Sequence, residues 1–130
     1  MDVDISRVRL LVAEINSESE RTPIIVEGRK DVESLRRIGV TGIIYSLNGR
    51  SVSELVEELE HYGEVIILTD YDSEGVKIKN KLVKDFQLIG VKVNLRYYRL
   101  LKRILKGFIV QIEGLFKFLE SRGYCETPIT

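Results

Sequence analysis

Val65-Ile66-Ile67-Leu68-Thr69-Asp70-Tyr71-Asp72-Ser73-Glu74-Gly75 is the stretch on which the fold turns. Its first five residues are apolar or β-branched without alternation, as in a strand covered on both faces of a parallel sheet. The run stops at Asp70, and Asp72 or Ser73 can cap a helix predicted over 73–89.

The same pattern appears upstream. Ile24-Ile25-Val26 is a short apolar run that ends at Glu27-Gly28, and a helix is predicted over 30–38, closed by Gly39. Gly42-Ile43-Ile44-Tyr45 reads as a strand ended by Asn48-Gly49. A helix from Ser51 or Ser53 to His61 follows, with Val52, Leu55, Val56 and Leu59 on one stripe. Downstream, Val91-Lys92-Val93-Asn94 is a weaker strand, and 96–121 is mostly helical with a break near Gly107. At the start, Ile5, Val8, Leu11, Val12 and Ile15 recur at helical spacing, so 4–19 is a helix capped by Asp4 or Ser6.

Strands alternating with helices imply βαβ units with right-handed crossovers. The expected class is α/β: a three-layer α/β/α sandwich around a mainly parallel, Rossmann-like sheet of four strands. With 130 residues, one domain accounts for the chain, with a core over 23–95, an N-terminal helix over 4–19 and a C-terminal helical extension over 96–121. No apolar run is long enough to cross a bilayer, so no membrane partner is expected. No export signal is visible, and Cys125 is the only cysteine, which fits a reducing, cytoplasmic setting.

The net charge of zero conceals a polarity. Residues 1–75 hold 8 Lys and Arg against 16 Asp and Glu, whereas residues 76–106 hold 10 against the single Asp85. A basic block of that density suits a polyanion, unless the acidic half neutralises it within the fold.

Functional groups of open parallel sheets gather beyond the carboxyl ends of the strands. Glu27 and Asp70 both stand at such ends, and Asp70 and Asp72 share one side of an extended segment. Carboxylates held together take up protons or recruit a cation. Magnesium, with manganese as a substitute, prefers one or two carboxylates plus water and phosphate, which suits Asp70 and Asp72. Glu27 is then available as a general acid or base, or as a further ligand. Gly28 and Gly75 allow backbone to approach a phosphate. Asp31 either supports the metal site or serves as a first-turn partner of the helix dipole.

Competing motifs fit less well. Asp70 to Gly75 is similar to half an EF-hand loop, but the twelfth position is Lys81 rather than Glu, and the entering segment is a strand. A dehalogenase-type phosphatase carries Asp-x-Asp on its first strand, and no phosphate-binding P-loop is present.

Val26-Glu27-Gly28-Arg29-Lys30-Asp31 together with Thr69-Asp70-Tyr71-Asp72-Ser73-Glu74-Gly75 resembles the Toprim domain of topoisomerases, bacterial-type primases, recombination proteins and certain nucleases. The resemblance spans roughly 23–94. It implies that Glu27 is the general acid/base and that Asp70 and Asp72 bind magnesium. It also implies that Asp31 matches an acidic residue of primase-like and ribosomal-RNA-maturing members. The chain has no room for a topoisomerase's nucleophile domain, and one Cys and one His cannot build a primase's zinc module. The implied function is that of a small stand-alone Toprim nuclease acting on RNA or DNA. The alternative is a non-catalytic nucleic-acid-binding or scaffold module working with a larger partner.

Beside the acidic motifs, Arg29, Lys30 and Lys77 are candidates to steady a phosphate backbone. Lys77, Lys81 and Lys84 form one helical stripe, and Arg96, Arg99, Arg103 and Lys106 another. Both stripes are expected to hold phosphates by charge alone. Tyr97 and Tyr98 either stack on bases or join the core. Phe108, Ile109, Val110, Leu115, Phe116 and Phe118 either close the sheet's second face or form a homo-oligomer or partner interface. His61 is expected at the surface.

Overall fold

The computed structural model describes residues 4–108 and 111–124. Ten helices and strands follow one another: α1 (Ile5–Ser19), β1 (Ile24–Val26), α2 (Arg29–Ile38), β2 (Ile44–Ser46), α3 (Val52–Glu58), β3 (Glu64–Ile67), α4 (Ser73–Leu88), β4 (Lys92–Asn94), α5 (Arg96–Ile104) and α6 (Leu115–Glu120). A single 3-10 turn, Ile112–Gly114, leads into α6.

The four strands form one parallel sheet in the order β2-β1-β3-β4. Every residue of β1 is buried, which is why the run Ile24-Ile25-Val26 shows no alternation. Ile24, Val26, Ile66 and Leu68 face one layer with α1, α2, α5 and α6. Ile25, Val65 and Ile67 face the other, against Leu55 and Leu59 at α3 and Leu82 and Phe86 of α4. The architecture is therefore the expected three-layer α/β/α sandwich.

Local chemistry sets the ends of the elements. Asp4 caps α1 by accepting the backbone N–H of Arg7, and Ser51 caps α3 by accepting that of Glu54. Gly39 ends α2 in the left-handed region at φ 115°, where a side chain would strain the backbone. Most elements begin or end a residue or two from the expected positions, and two of the shifts have a visible cause. The second strand starts at Ile44, because Ile43 instead donates its N–H to the carbonyl of Ser19 at 2.7 Å as the chain enters the sheet. Helix α3 ends at Glu58, after which the backbone tightens into turns.

The C-terminal apolar segment closes the first layer. Leu115, Phe116 and Leu119 are buried in that core; the backbone N–H of Phe116 donates to the Ser34 hydroxyl, and the Tyr124 hydroxyl to the carbonyl of Ile38. Nothing in this packing supports an oligomer interface, although Phe108 remains 40% exposed. Tyr97 and Tyr98 are also core residues, so they are not available to stack on bases. Ile109, Val110 and Cys125 lie outside the described residues. Among the described residues no helix is long and apolar enough to cross a membrane.

Candidate metal centre

Strand addition reverses direction between β1 and β3, so a crevice is expected beyond their carboxyl ends. The register sets Ile25 opposite Ile67, and both strands then release an acidic residue. Oε2 of Glu27 accepts the backbone N–H of Asp70 at 2.7 Å, across 43 positions of sequence. This bond brings Glu27 to Asp70, whereas among the described residues no third acidic side chain joins them in an ion-holding group.

Each carboxylate at this edge has backbone partners. Oδ1 of Asp70 accepts the N–H of Ile112 at 2.7 Å. Oδ2 of Asp31 accepts the N–H of Gly28 at 2.9 Å, and the backbone amide of Glu113 also favours its ionised form. Oδ1 of Asp72 accepts the N–H of Gly75 at 2.8 Å and so caps α4. Tyr71 points away into the core, where its hydroxyl donates to the carbonyl of Tyr98 at 3.0 Å. That contact anchors the loop between β3 and α4.

The electrostatics follow from crowding and burial. Burial pushes the Glu27 carboxyl up from 4.5 to about 7; the Asp70 N–H pulls against it, while the Asp70 and Asp31 carboxylates add to the rise. Burial likewise pushes Asp31 up from 3.8 to about 6, reinforced by Asp70. Glu27, Asp31 and Asp70 thus share one field that is short of positive charge. Tyr98 feels it too: its phenol is raised by burial and then by Glu27.

These groups suit a divalent cation by donor type, since all are hard carboxylate oxygens. Two buried hydroxyls lack a hydrogen-bond partner, those of Thr69, the residue before Asp70, and of Tyr98, which feels the charge of Glu27. Among the described residues, however, no three His, Cys, Asp or Glu side chains are already arranged to hold an ion. Asp70 and Asp72 each keep one oxygen beyond the one bonded to backbone.

The glycines divide into two cases. A Cβ on Gly75 would stand 2.2 Å from the carbonyl oxygen of Asp70, so only glycine lets α4 start this close to the strand end. Gly28 is extended, at φ −145°, and a Cβ there would meet its nearest atom, Oδ2 of Asp31, only at 3.8 Å. The backbone there does not require glycine, although the missing side chain leaves room beside it.

The cations are unevenly placed. Arg29 and Lys30 are exposed on the first turn of α2 and line a cleft of about 390 Å³ together with Gly28, Asp31 and Asn48. A second cleft of about 490 Å³ shares Lys30 and Glu113 with the first and adds Arg37 and Lys117. Sequence reading missed Arg37 and Lys117. Arg37 lies in the last turn of α2, so a helical wheel could have aligned it with Lys30, seven positions earlier. Lys77 is exposed on α4; Lys81 is paired with Asp85 at 2.9 Å, and Arg96 with Glu14 at 2.8 Å. Arg99 and Arg103 are exposed on α5, but neither lines either cleft. His61 is exposed, as expected.

Comparison with known proteins agrees with the fold and the motifs. A UPF0292 protein of Methanosarcina barkeri is 35% identical over 95% of this chain and 94% of its own length. A UPF0292 protein of Methanocaldococcus jannaschii is 33% identical over 86% of this chain and 89% of its own. A solved structure of a protein from Aquifex aeolicus superposes with a TM-score of 0.71 at 27% identity, covering 80% of this chain and 94% of that one. The family model of the Toprim domain matches residues 22–112, the span that contains Glu27, Asp31, Asp70 and Asp72. The chain belongs to the Toprim domain family, and with it to metal-dependent chemistry related to nucleic acids.

Proposed function

We propose that the chain is a magnesium-dependent nuclease that acts on the phosphodiester backbone of RNA or DNA, with manganese able to replace magnesium. The observation that carries this reading is the 2.7 Å bond from Asp70 to Glu27 at the switch point of the sheet, with the Glu27 carboxyl held at about 7. A group with that value exchanges protons readily near neutral pH, as a general acid or base must. Asp70 and Asp72 would hold the cation through their remaining oxygens. When bound, the ion would polarise a non-bridging phosphate oxygen and offset the charge that develops there. Glu27 would take a proton from the attacking water or return one to the leaving oxygen. Arg29 and Lys30 at the cleft, with Lys77 on α4, would fix the backbone by charge. Lys81, Arg99 and Arg103 would make contacts further along it. A reducing, cytoplasmic setting suits a chain with one cysteine.

The experiment is a cleavage assay on labelled structured and single-stranded RNA and DNA with magnesium or manganese. Cleavage abolished by Glu27→Gln and by Asp70→Asn is the expected result. Cleavage that survives both substitutions ends the assignment.

One observation favours a second reading, that of a non-catalytic nucleic-acid-binding module serving a larger partner. Asp70 and Asp72 each have an oxygen engaged by backbone, and no three acidic groups among the described residues form a ready ligand set. This reading predicts salt-sensitive binding without turnover.

A further inference from the structure

We propose that the turn at 111–114 is part of the metal centre, with the backbone N–H of Ile112 acting as the positioning group that holds Asp70 in its ligating orientation. The inference rests on the proposed metal-binding role of Asp70 and adds a component that no side-chain motif contains.

Asp70 leaves β3 on a loop, where its χ angles are free unless something holds them. The Ile112 N–H does so at 2.7 Å, within the short range of bonds to a charged acceptor. The adjacent backbone amide of Glu113 favours the ionised form of Asp31, so two successive amides of one turn act on two carboxylates of the acidic edge. Both donors are neutral. They orient the carboxylates without cancelling the negative charge that a cation requires, which a lysine at the same place would do.

The turn is itself firmly held. Ile112 is 2% exposed and belongs to the first core layer. Two residues after Gly114, the N–H of Phe116 donates to Ser34 on α2, the helix that also carries Asp31. Leu115 and Leu119 are fully buried, and the Tyr124 hydroxyl bonds to the carbonyl of Ile38 at the end of α2. The C-terminal extension therefore fixes 112 relative to α2, and through 112 it fixes the acidic tip of β3.

The family match ends at residue 112, and the chain beyond it supplies these anchors. The 42 positions between Asp70 and Ile112 also explain why the sequence does not announce the pairing. A backbone donor carries no residue identity.

Ile112→Pro removes this donor alone among backbone groups. Gln111 is extended, at φ −122° and ψ 132°, which is the conformation a residue before proline prefers. Proline is also tolerated at the first position of a helical turn. Ile112→Ala is the control, since it loses the buried side chain and keeps the N–H. Manganese affinity of the full chain, without nucleic acid, is measured by calorimetry and by the electron paramagnetic resonance of free Mn2+. The expected result is wild-type-like affinity for Ile112→Ala and affinity about 10- to 100-fold weaker for Ile112→Pro. Equal affinity in Ile112→Pro and Ile112→Ala overturns the inference and leaves the metal reading intact. If the wild type binds no manganese, or Asp70→Asn binds it as well as the wild type, the metal reading fails and takes the inference with it. Should Ile112→Pro fail to fold by circular dichroism, amide exchange decides. The Ile112 amide must then be protected in magnesium-saturated wild type and exchange about tenfold faster or more in Asp70→Ala, and equal rates overturn the proposal.

Discussion

Oε2 of Glu27 lies 2.7 Å from the backbone nitrogen of Asp70, so the first and third strands are joined at their tips by a bond from backbone to carboxyl. The bond draws the Glu27 carboxyl toward ionisation, while burial and the neighbouring carboxylates push the other way and win. The edge of the sheet is therefore held by a group that is half protonated near neutral pH.

Acidification should stabilise the metal-free protein. Glu27 at about 7 and Asp31 at about 6 both lie above their ordinary values of 4.5 and 3.8. Between those limits the folded chain binds more protons than the unfolded chain, so stability falls as pH rises. Urea midpoints measured in chelator should decline from pH 5 to pH 8, and Glu27→Gln should flatten part of that decline. A midpoint that rises over this interval contradicts the field assigned to the site.

Metal affinity should run in the opposite direction. A cation competes with protons for the same carboxylates, so magnesium and manganese should bind more tightly as pH rises through 6 to 7. Calorimetry in buffers of different ionisation enthalpy should detect proton release on binding at pH 6, and less of it at pH 8.

Much of this was legible in the chain. The runs Ile24-Ile25-Val26 and Val65-Ile66-Ile67-Leu68 show their double-sided burial directly, because each residue must be apolar whichever face it meets. The adjacency of Glu27 and Asp70 follows from strand order, which βαβ chirality restricts to few choices. Other features were not legible, for identifiable reasons. Helical spacing shows that Arg99 and Arg103 share a face but not where that face lies, and neither lines the clefts beside the acidic edge. The spacing of Tyr97 and Tyr98 suited either core or stacking, and only packing decides between them. The bond from Ile112 comes from backbone, which has no letter in the sequence.

Gly75→Ala and Gly28→Ala should separate folding from function. At position 75 the added Cβ would meet the Asp70 carbonyl oxygen at 2.2 Å, and backbone must move; a loss of about 1–3 kcal/mol in urea unfolding is expected. At position 28 the nearest atom is 3.8 Å away, so stability should stay within about 0.5 kcal/mol. If phosphate approaches the backbone there, Gly28→Ala should still weaken nucleic-acid binding.

The two basic groups make unequal predictions. Arg29 and Lys30 line the cleft beside Asp31, so reversing them to Glu should reduce both affinity and the slope of binding against salt, by about one unit per lost phosphate contact. Arg99→Glu with Arg103→Glu should lower affinity for long substrates and leave short ones unaffected. Fluorescence anisotropy with oligonucleotides of two lengths, across a salt series, distinguishes these outcomes.

Asp72 serves two roles that one substitution can pull apart. Its Oδ1 caps α4 by accepting the N–H of Gly75 at 2.8 Å, and its other oxygen is the proposed contact to the cation. Asparagine caps a helix about as well as aspartate but carries no charge, whereas alanine does neither. Asp72→Asn should therefore unfold within about 0.5 kcal/mol of wild type while binding manganese at least about tenfold more weakly. Asp72→Ala should lose the same affinity and about 1 kcal/mol of stability in addition. If Asp72→Asn keeps full affinity, Asp72 is only a helix cap, and the cation must be held by Asp70 with Glu27 or Asp31, the carboxylates that the structure already places in one electrostatic field.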